Sequence, residues 1–97
     1  MQQASTAGLP PAVTDFLHYL QVERQASAHT LAAYRRDLEA LWAWLTGQGG
    51  GDLLAIDAEQ LRGFIAAGHR SGLAAKSLQR RLSACRSFYA WHLRHGR

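Results

Sequence analysis

Apolar residues recur at spacings of three and four along nearly the whole chain, and this periodicity restricts the fold to helices. Such spacings place residues on one side of an α-helix, whereas a half-buried strand alternates at every second residue. The clearest example is SAHTLAAYRRDLEALWAWL, Ser27 to Leu45, in which large apolar residues repeat from Leu31 onward. No stretch alternates like a strand, and no segment repeats another. The chain is therefore predicted to be all-α.

Residues that start and stop helices divide the first half of the chain into two. Pro10 and Pro11 suit the start of a first helix, because proline fixes φ and lacks an N–H that the first turn leaves unpaired. Ser27 is a good N-cap for a second helix, and Gly47 is predicted to end it in the left-handed conformation. The three consecutive glycines that follow cannot continue a helix.

The second half of the chain contains two more helices. Asp57 opens the sequence DAEQ, which fits a capping box, so a third helix is expected to begin there. After the connection GHRSGL, a fourth helix is expected from about Ala74 to His95, with Gly96 as its stop. Four helices with short connections make one compact all-α domain. Residues 1–10 are expected to form a flexible N-terminal tail and residues 11–97 the folded domain.

Composition and motif content argue against several functional classes. The single cysteine, Cys85, excludes an internal disulfide and a multi-thiolate zinc site, and the five histidines have no metal-binding spacing. No carboxylate pair or nucleophile–base arrangement stands out. We therefore expect no metal, no cofactor and no independent catalysis. No apolar run approaches the roughly 20 residues that cross a bilayer, and no secretory signal is recognisable. A cytoplasmic protein without membrane contact is predicted.

The net charge of +4 is unevenly distributed along the chain. Residues 1–56 hold three basic and five acidic side chains, whereas residues 57–97 hold eight basic and two acidic ones. From Lys76 onward there is no carboxylate side chain at all. This asymmetry favours a polyanionic partner, with nucleic acid first, although a solvated basic segment is the alternative.

The outward faces of the second and fourth helices form the candidate site. Helical spacing at about 100° per residue collects small and basic residues there: His29, Ala33, Arg36, Ala40 and Ala43 on the second helix, and Lys76, Arg80, Ser83, Ser87 and Arg94 on the fourth, flanked by Gln79 and Arg86. Small residues allow close approach, arginine can fork onto guanine or phosphate, and serine can bond phosphate oxygens. The start of the second helix adds a phosphate anchor. The predicted DNA contacts are Ser27, His29, Thr30, Arg36, Lys76, Gln79, Arg80, Ser83 and Ser87.

Each of these residues also has a simpler interpretation. Ser27 and Thr30 can serve as helix caps alone, and Arg36 and Arg80 can belong to a solvated face. If they contact DNA, Arg80 is expected to read a base edge and Lys76 to bind phosphate, and Arg80→Ala is expected to leave the fold nearly untouched. The aromatic residues on the apolar stripes are interpreted as core. Trp44 and Trp91, which lie off those stripes, cover a neighbouring helix or meet a second domain.

Three motifs resemble the N-terminal core-binding domain of tyrosine recombinases. The first is S-x-x-T-x-x-x-Y-x-x-D-L, which runs from Ser27 to Leu38. The second is the final helix, SLQRRLSACRSFYAWHLRHG, and the opening FLHYLQVERQAS also fits. Together they cover roughly residues 12 to 96. Within the family the resemblance is to the Xer recombinases of chromosome-dimer resolution. The glycine-rich loop GQGGGDLL departs from the pattern, so no loop contacts are carried over.

The resemblance implies a four-helix SAM-like domain whose second and fourth helices enter the major groove of a short pseudo-palindromic site in double-stranded DNA. It also implies a XerD-like partner recombinase in a tetrameric synapse and an FtsK-like translocase as regulator. The catalytic residues of the family belong to a C-terminal domain, so this chain is expected to be inactive alone. Tyr34 and Tyr89 match packing positions, not the family's nucleophile. The main alternative is an all-α protein-interaction module with a basic face, and a further one is an autonomous DNA-architectural domain with no catalytic partner.

Overall fold

The computed structural model describes residues 8–95, which form four α-helices and one short 3₁₀ helix. The α-helices are α1 (Pro11–Val22), α2 (Ala28–Gly47), α3 (Ala58–Arg70) and α4 (Ala75–Arg94), and the 3₁₀ helix Leu53–Ala55 precedes α3. No strand occurs within residues 8–95, and the prediction of an all-α domain is confirmed. Residues 1–7 of the expected tail and the expected stop at Gly96 lie outside the described residues. Leu9, near the end of that tail, is buried in the core.

The two predicted N-caps are confirmed. The Ser27 hydroxyl oxygen accepts a hydrogen bond from the Thr30 backbone N–H at 3.1 Å. At the start of α3, the Asp57 carboxylate accepts from the Gln60 N–H at 2.8 Å, and the Gln60 side chain accepts from the Asp57 N–H at 3.1 Å. This reciprocal pair is the capping box, which satisfies two backbone donors that a helix start otherwise leaves unpaired.

The predicted left-handed cap at Gly47 is wrong. Gly47 is the last helical residue of α2, and positive φ angles occur at the three glycines that follow Gln48: 108° at Gly49, 82° at Gly50 and 127° at Gly51. The Gly50 N–H donates to the Leu45 carbonyl at 2.9 Å and closes the helix end. The first glycine therefore belongs to the helix, and the left-handed conformation is adopted by the consecutive glycines after Gln48.

Helix α4 packs against α1, α2 and α3, and the core forms around it. Phe88 of α4 is fully buried, and its ring meets Phe16 of α1 edge to face at a centroid distance of 5.6 Å. Full burial of such a side chain stabilises a fold by roughly 1.5–3 kcal/mol. Most of the residues on the inward stripes of the helices are buried, including Val13, Phe16, Leu17, Leu20, Leu38, Leu41, Leu45, Phe64, Cys85, Phe88 and His92. Leu82, which lies on the inward stripe of α4, is only partly buried.

The remaining aromatic side chains cover neighbouring helices. The Trp44 ring of α2 lies 5.9 Å from the Phe64 ring of α3, and the Trp91 ring of α4 stacks on Tyr19 of α1 at 5.2 Å. The Tyr89 hydroxyl donates to the Leu53 carbonyl at 2.6 Å and ties the 3₁₀ helix to α4. Of the two roles expected for Trp44 and Trp91, the structure shows the first, because each ring covers a neighbouring helix.

The outward position predicted for Ala33 and Ala40 is wrong. Ala33 is buried, and Ala40 packs partly buried against the core. Both lie on one side of α2 with Asp37, at spacings of four and three, and Asp37 faces α4. Because α2 packs against both α1 and α4, its buried surface is wider than its stripe of large apolar residues. These alanines are small because another helix lies against them.

Candidate nucleic-acid interface

All nine residues predicted to contact DNA are exposed. Three lie at the start of α2, Arg36 lies further along that helix, and five lie on α4. Helices α2 and α4 pack against each other, so the two groups belong to neighbouring elements of one surface. The exposed part of α2 is narrower than the sequence predicted, because only His29, Arg36 and Ala43 of its expected outward face are exposed.

The start of α2 has the local geometry of a helix cap. Besides accepting from the Thr30 N–H, the Ser27 hydroxyl donates to the Thr30 hydroxyl oxygen at 3.1 Å. The simpler interpretation of Ser27 and Thr30 as capping residues is therefore confirmed. One backbone donor of the first turn is satisfied by this cap, and the remaining donors of a first turn lack intrahelical partners.

The guanidinium of Arg80 does not extend freely into solvent. Its Nε donates to Asp37 Oδ2 at 2.9 Å, and its Nη2 donates to Asp37 Oδ1 at 2.9 Å. The Asp37 side chain is fully buried, whereas the Arg80 side chain remains 41% exposed. These hydrogen bonds raise the pKa of the Arg80 guanidinium above its ordinary value. Arg80 is therefore not a free cation of a solvated face, and the expectation that Arg80→Ala leaves the fold nearly untouched loses its basis, because the substitution would leave a buried carboxylate without this partner.

A second arginine completes this cluster. The Arg81 Nε lies 3.6 Å from Asp37 Oδ1, and the Arg81 guanidinium carbon lies 5.0 Å from the centroid of the Phe64 ring. That Nε is buried and has no hydrogen-bond partner in the described structure. Asp37 therefore lies between two guanidinium groups, one partly exposed and one packed on an aromatic face. This cluster, Asp37, Arg80 and Arg81, links α2 to α4.

Sequence reasoning missed the role of Asp37, although a signal for it existed. Asp37 is the carboxylate of the Y-x-x-D-L motif, and helical spacing places it with Ala33 and Ala40. Arg80 precedes the fully buried Ala84 by one turn, only about 40° around the helix. A carboxylate on a stripe of small residues, opposite an arginine at the edge of a buried stripe, indicates an interhelical ion pair. This ion pair was missed because Arg80 was assigned to the outward face of the fourth helix.

Two residues of the described chain were not predicted as contacts but border the same surface. Arg24 follows α1 in the turn before α2, and Arg94 is the last residue of α4. Both are exposed, and both line a cleft that also includes Ser87. Arg94 had been placed on the outward face of the fourth helix without being chosen as a contact. For Arg24, only its basic character was visible in the sequence.

Within residues 8–95, no group of three or more histidine, cysteine, aspartate or glutamate side chains is arranged to hold a metal ion. The helices described over that same range include none with the length and apolarity needed to cross a membrane. His92 is buried, and its Nε2 donates a hydrogen bond to the Ala12 carbonyl oxygen at 2.8 Å. This hydrogen bond joins α4 to α1.

Comparison with known proteins identifies the kind of domain that carries this surface. The family described as phage integrase, N-terminal SAM-like domain, matches residues 13–96. The chain belongs to this family. The resemblance seen in the three sequence motifs is thus confirmed. The four α-helices described above agree with the SAM-like fold that this resemblance implied.

Several curated relatives of this SAM-like domain are named tyrosine recombinase XerC. The relative from Xanthomonas campestris pv. campestris is 64% identical over 86 residues, covering 89% of this chain and 27% of the relative. The relative from Xylella fastidiosa is 61% identical over 84 residues, covering 87% and 29%. The relative from Pseudomonas aeruginosa is 48% identical over 82 residues, covering 84% and 27%. The chain thus spans less than a third of the length of these relatives. No solved structure matches it.

Proposed function

We propose that this SAM-like domain binds DNA as the N-terminal clamp domain of a XerC-like, site-specific tyrosine recombinase. The observation that carries the proposal is the 64% identity to a protein named tyrosine recombinase XerC across most of this chain. In this role the full-length protein recombines short pseudo-palindromic sites during chromosome dimer resolution at cell division, in the cytoplasm. A XerD-like recombinase completes the tetrameric synapse, and an FtsK-like translocase regulates it. After XerC, the recombinase that this chain resembles next is XerD.

The candidate interface has the chemistry that DNA binding requires. Its nine residues include three cationic groups, Lys76, Arg36 and Arg80, and hydroxyl-bearing side chains that can donate to phosphate oxygens. No carboxylate side chain occurs in the sequence from Lys76 to the end of the chain, and in the structure Asp37 of α2 neutralises part of this positive charge at Arg80. A surface of this kind attracts a polyanion, and its small serine side chains allow the polyanion to come close.

The contact between Arg80 and Asp37 refines the role proposed for Arg80. Asp37 uses the Nε and one N–H of Nη2, which are two of the five donors of a guanidinium. The outer edge, Nη1 and the second N–H of Nη2, remains available for the two acceptors of guanine or for phosphate. Asp37 holds the planar group in one orientation, so less conformational freedom is lost when DNA binds. We keep base reading as the proposed role of Arg80 and phosphate binding as that of Lys76.

The test is binding of the 97-residue chain to duplexes selected from a random-sequence library, measured by fluorescence anisotropy. We expect a selected duplex to compete better than a scrambled duplex of equal length. We also expect weak binding overall, because one module covers only about 600–1,000 Å² of protein surface and non-specific binding at physiological salt lies near 10⁻⁴–10⁻⁶ M. A chain that binds no duplex at low salt, while folded, contradicts the proposal.

The alternative is a protein-interaction module, and one feature of the structure favours it. A groove of about 560 Å³ between α3 and α4 is lined mainly by apolar side chains, with Arg62 and Arg86 beside them. Competition separates the two functions, because an acidic protein ligand is indifferent to the base sequence of an added duplex. If unlabelled selected and scrambled duplexes have the same effect on the binding of each ligand tested, the protein-interaction module is favoured.

The proposed chemistry assigns no catalytic role to this domain. Tyr34 packs on Phe16 at a ring-centroid distance of 6.4 Å, and the Tyr89 hydroxyl is engaged by the Leu53 carbonyl. Burial raises the pKa of Tyr89, so its phenolate, the stronger nucleophile, is disfavoured. Incubation with a nicked duplex, followed by denaturing electrophoresis, should show no covalent adduct. An adduct that is lost in Tyr89→Phe would contradict this assignment.

A further inference from the structure

A small cleft lies where the turn between α1 and α2 meets the second half of α4. It encloses about 280 Å³, and its walls are the rings of Phe16, Tyr19, Tyr34 and Trp91. Its polar lining consists of three further side chains, Arg24, Ser87 and Arg94. None of the described residues that line it is acidic. We call this feature the basic cleft.

The two arginines of the basic cleft keep their charges available. Arg24 and Arg94 are exposed, and neither takes part in the ion pairs formed within residues 8–95. Arg80, in contrast, already has a carboxylate partner in Asp37. The positive charge of the candidate interface is therefore partly neutralised at Arg80, in the first half of α4, and is not neutralised at the C-terminal end of this helix, where Arg94 lies.

The walls of the basic cleft are fixed by packing. The Tyr19 and Trp91 rings stack at 5.2 Å with an interplanar angle of 29°. The Arg24 and Ala26 backbone N–H groups donate to the Tyr19 and Leu20 carbonyls at 3.3 and 3.0 Å, and Gln25 between them has a φ of 51°. The neighbouring Tyr19 side chain raises the pKa of the Arg24 guanidinium. Arg24 is thus carried by a closed turn beside a rigid aromatic wall.

We propose that the basic cleft binds one phosphodiester group of the DNA backbone through the guanidinium groups of Arg24 and Arg94 and the hydroxyl of Ser87. The proposal rests on the proposed function and adds two residues to the interface. Guanidinium groups supply only donors, which suits the acceptor oxygens of a phosphate better than the mixed edge of most bases. Ser87 and Arg94 lie on the same face of α4 as Lys76 and Ser83. A duplex that lies along this face therefore also lies beside the basic cleft.

The experiment compares the wild-type chain with Arg24→Ala, Arg94→Ala and the double variant, each checked for helicity by circular dichroism. Arg70→Ala is the matched control, because Arg70 is an exposed arginine of α3 outside the interface. Affinity for a selected and a scrambled duplex is measured at several salt concentrations. The double variant should weaken binding to both duplexes equally and reduce the slope of log affinity against log salt by about 0.9. Arg70→Ala should leave that slope unchanged.

A second measurement separates the phosphodiester from free phosphate, which offers the same oxygens. Inorganic phosphate is titrated against a sodium chloride control of equal ionic strength, with the Arg side-chain NMR signals as readout. Millimolar binding by the wild-type chain, combined with an unchanged salt slope in the double variant, would show a site for free phosphate and overturn the proposal. An unchanged slope in the double variant, with a reduced slope in Lys76→Ala, overturns the basic cleft alone. Absence of duplex binding by the wild-type chain overturns the proposed function as well.

Discussion

Replacing Arg80 by alanine should destabilise the domain by about 1.5–3 kcal/mol. The change removes two hydrogen bonds of 2.9 Å to a carboxylate that is 0% exposed. Removing one member of a fully buried ion pair costs about 3–5 kcal/mol, and a hydrogen bond to a charged group contributes about 1.5–3 kcal/mol. Because the Arg80 side chain is 41% exposed, water screens the pair and the lower range applies. Arg81, at 3.6 Å, supplies part of the compensation.

Urea unfolding followed by tryptophan fluorescence measures this loss, and thermal unfolding provides a second readout. For a domain of this size each kcal/mol corresponds to a fall in Tm of roughly 4–8 °C. Arg36→Ala is the matched control, because Arg36 is an exposed arginine next to Asp37 in sequence. A surface substitution of that kind should stay within about 0.5 kcal/mol of the wild type. Arg80→Lys should fall between the two, since it keeps the charge and loses the paired geometry.

A double-mutant cycle tests the cause of the loss. Asp37→Asn and Arg80→Ala are combined, and their coupling free energy is calculated from the four unfolding curves. If the ion pair is responsible, the double variant should be less destabilised than the sum of the single variants. A coupling energy below about 0.5 kcal/mol, or an Arg80→Ala variant as stable as Arg36→Ala, would refute the reasoning.

Three further predictions follow from backbone and burial. Gln25→Gly should stabilise the domain by roughly 1 kcal/mol, because Gln25 has a φ of 51° that glycine adopts without strain; urea unfolding checks this. Gly68→Ala should destabilise it by up to about 2 kcal/mol in the same assay, since the new Cβ would lie 3.0 Å from Leu78 Cδ2 and 3.3 Å from Arg81 Nη1. Gly47→Ala, with no atom within 4 Å, is its tolerated control. Burial raises the pKa of the Cys85 thiol from 9.0 to about 12, so the folded state retains its proton and stability falls as pH rises from 9 towards 12. Unfolding at pH 8 and 10 should show about 1 kcal/mol more loss in the wild type than in Cys85→Ala, and equal losses would contradict the assignment.

The helices could be predicted from the sequence because their signals are local. The caps at Ser27 and Asp57 act through hydrogen bonds to residues three positions away, so the local amino-acid sequence is enough to identify them. The large apolar stripes likewise identify most of the core. The left-handed cap of α2 was assigned to the wrong glycine because several glycines follow one another at the end of this helix. Which of them adopts the left-handed conformation depends on the carbonyl that each N–H reaches, here Leu45 for Gly50.

The candidate site was less predictable, because its decisive contacts join residues distant in sequence. Asp37 and Arg80 are separated by 43 positions, and periodicity within either helix cannot show that they meet. Periodicity also cannot distinguish a small residue that faces DNA from one that faces a neighbouring helix, and Ala33 is of the second kind. The exposed positions of the interface, such as Lys76 and Ser83, could be predicted because they lie far from the apolar stripe of their helix and stay exposed after the helices have packed.

The ion pair changes how binding experiments on this surface have to be interpreted. Loss of Arg80 removes a proposed DNA contact and also the partner of a buried carboxylate, so weaker DNA binding by Arg80→Ala has two possible origins. Lys76→Ala and Arg94→Ala do not share this ambiguity, because neither residue has an ion-pair partner within residues 8–95. Comparison at a temperature where all variants are folded isolates the contact. There, a base-reading Arg80 should lose preference at one position of the selected duplex, at a cost of about 1–3 kcal/mol, whereas Lys76→Ala should weaken selected and scrambled duplexes alike. Equal weakening of both duplexes by Arg80→Ala would instead make Arg80 a phosphate contact.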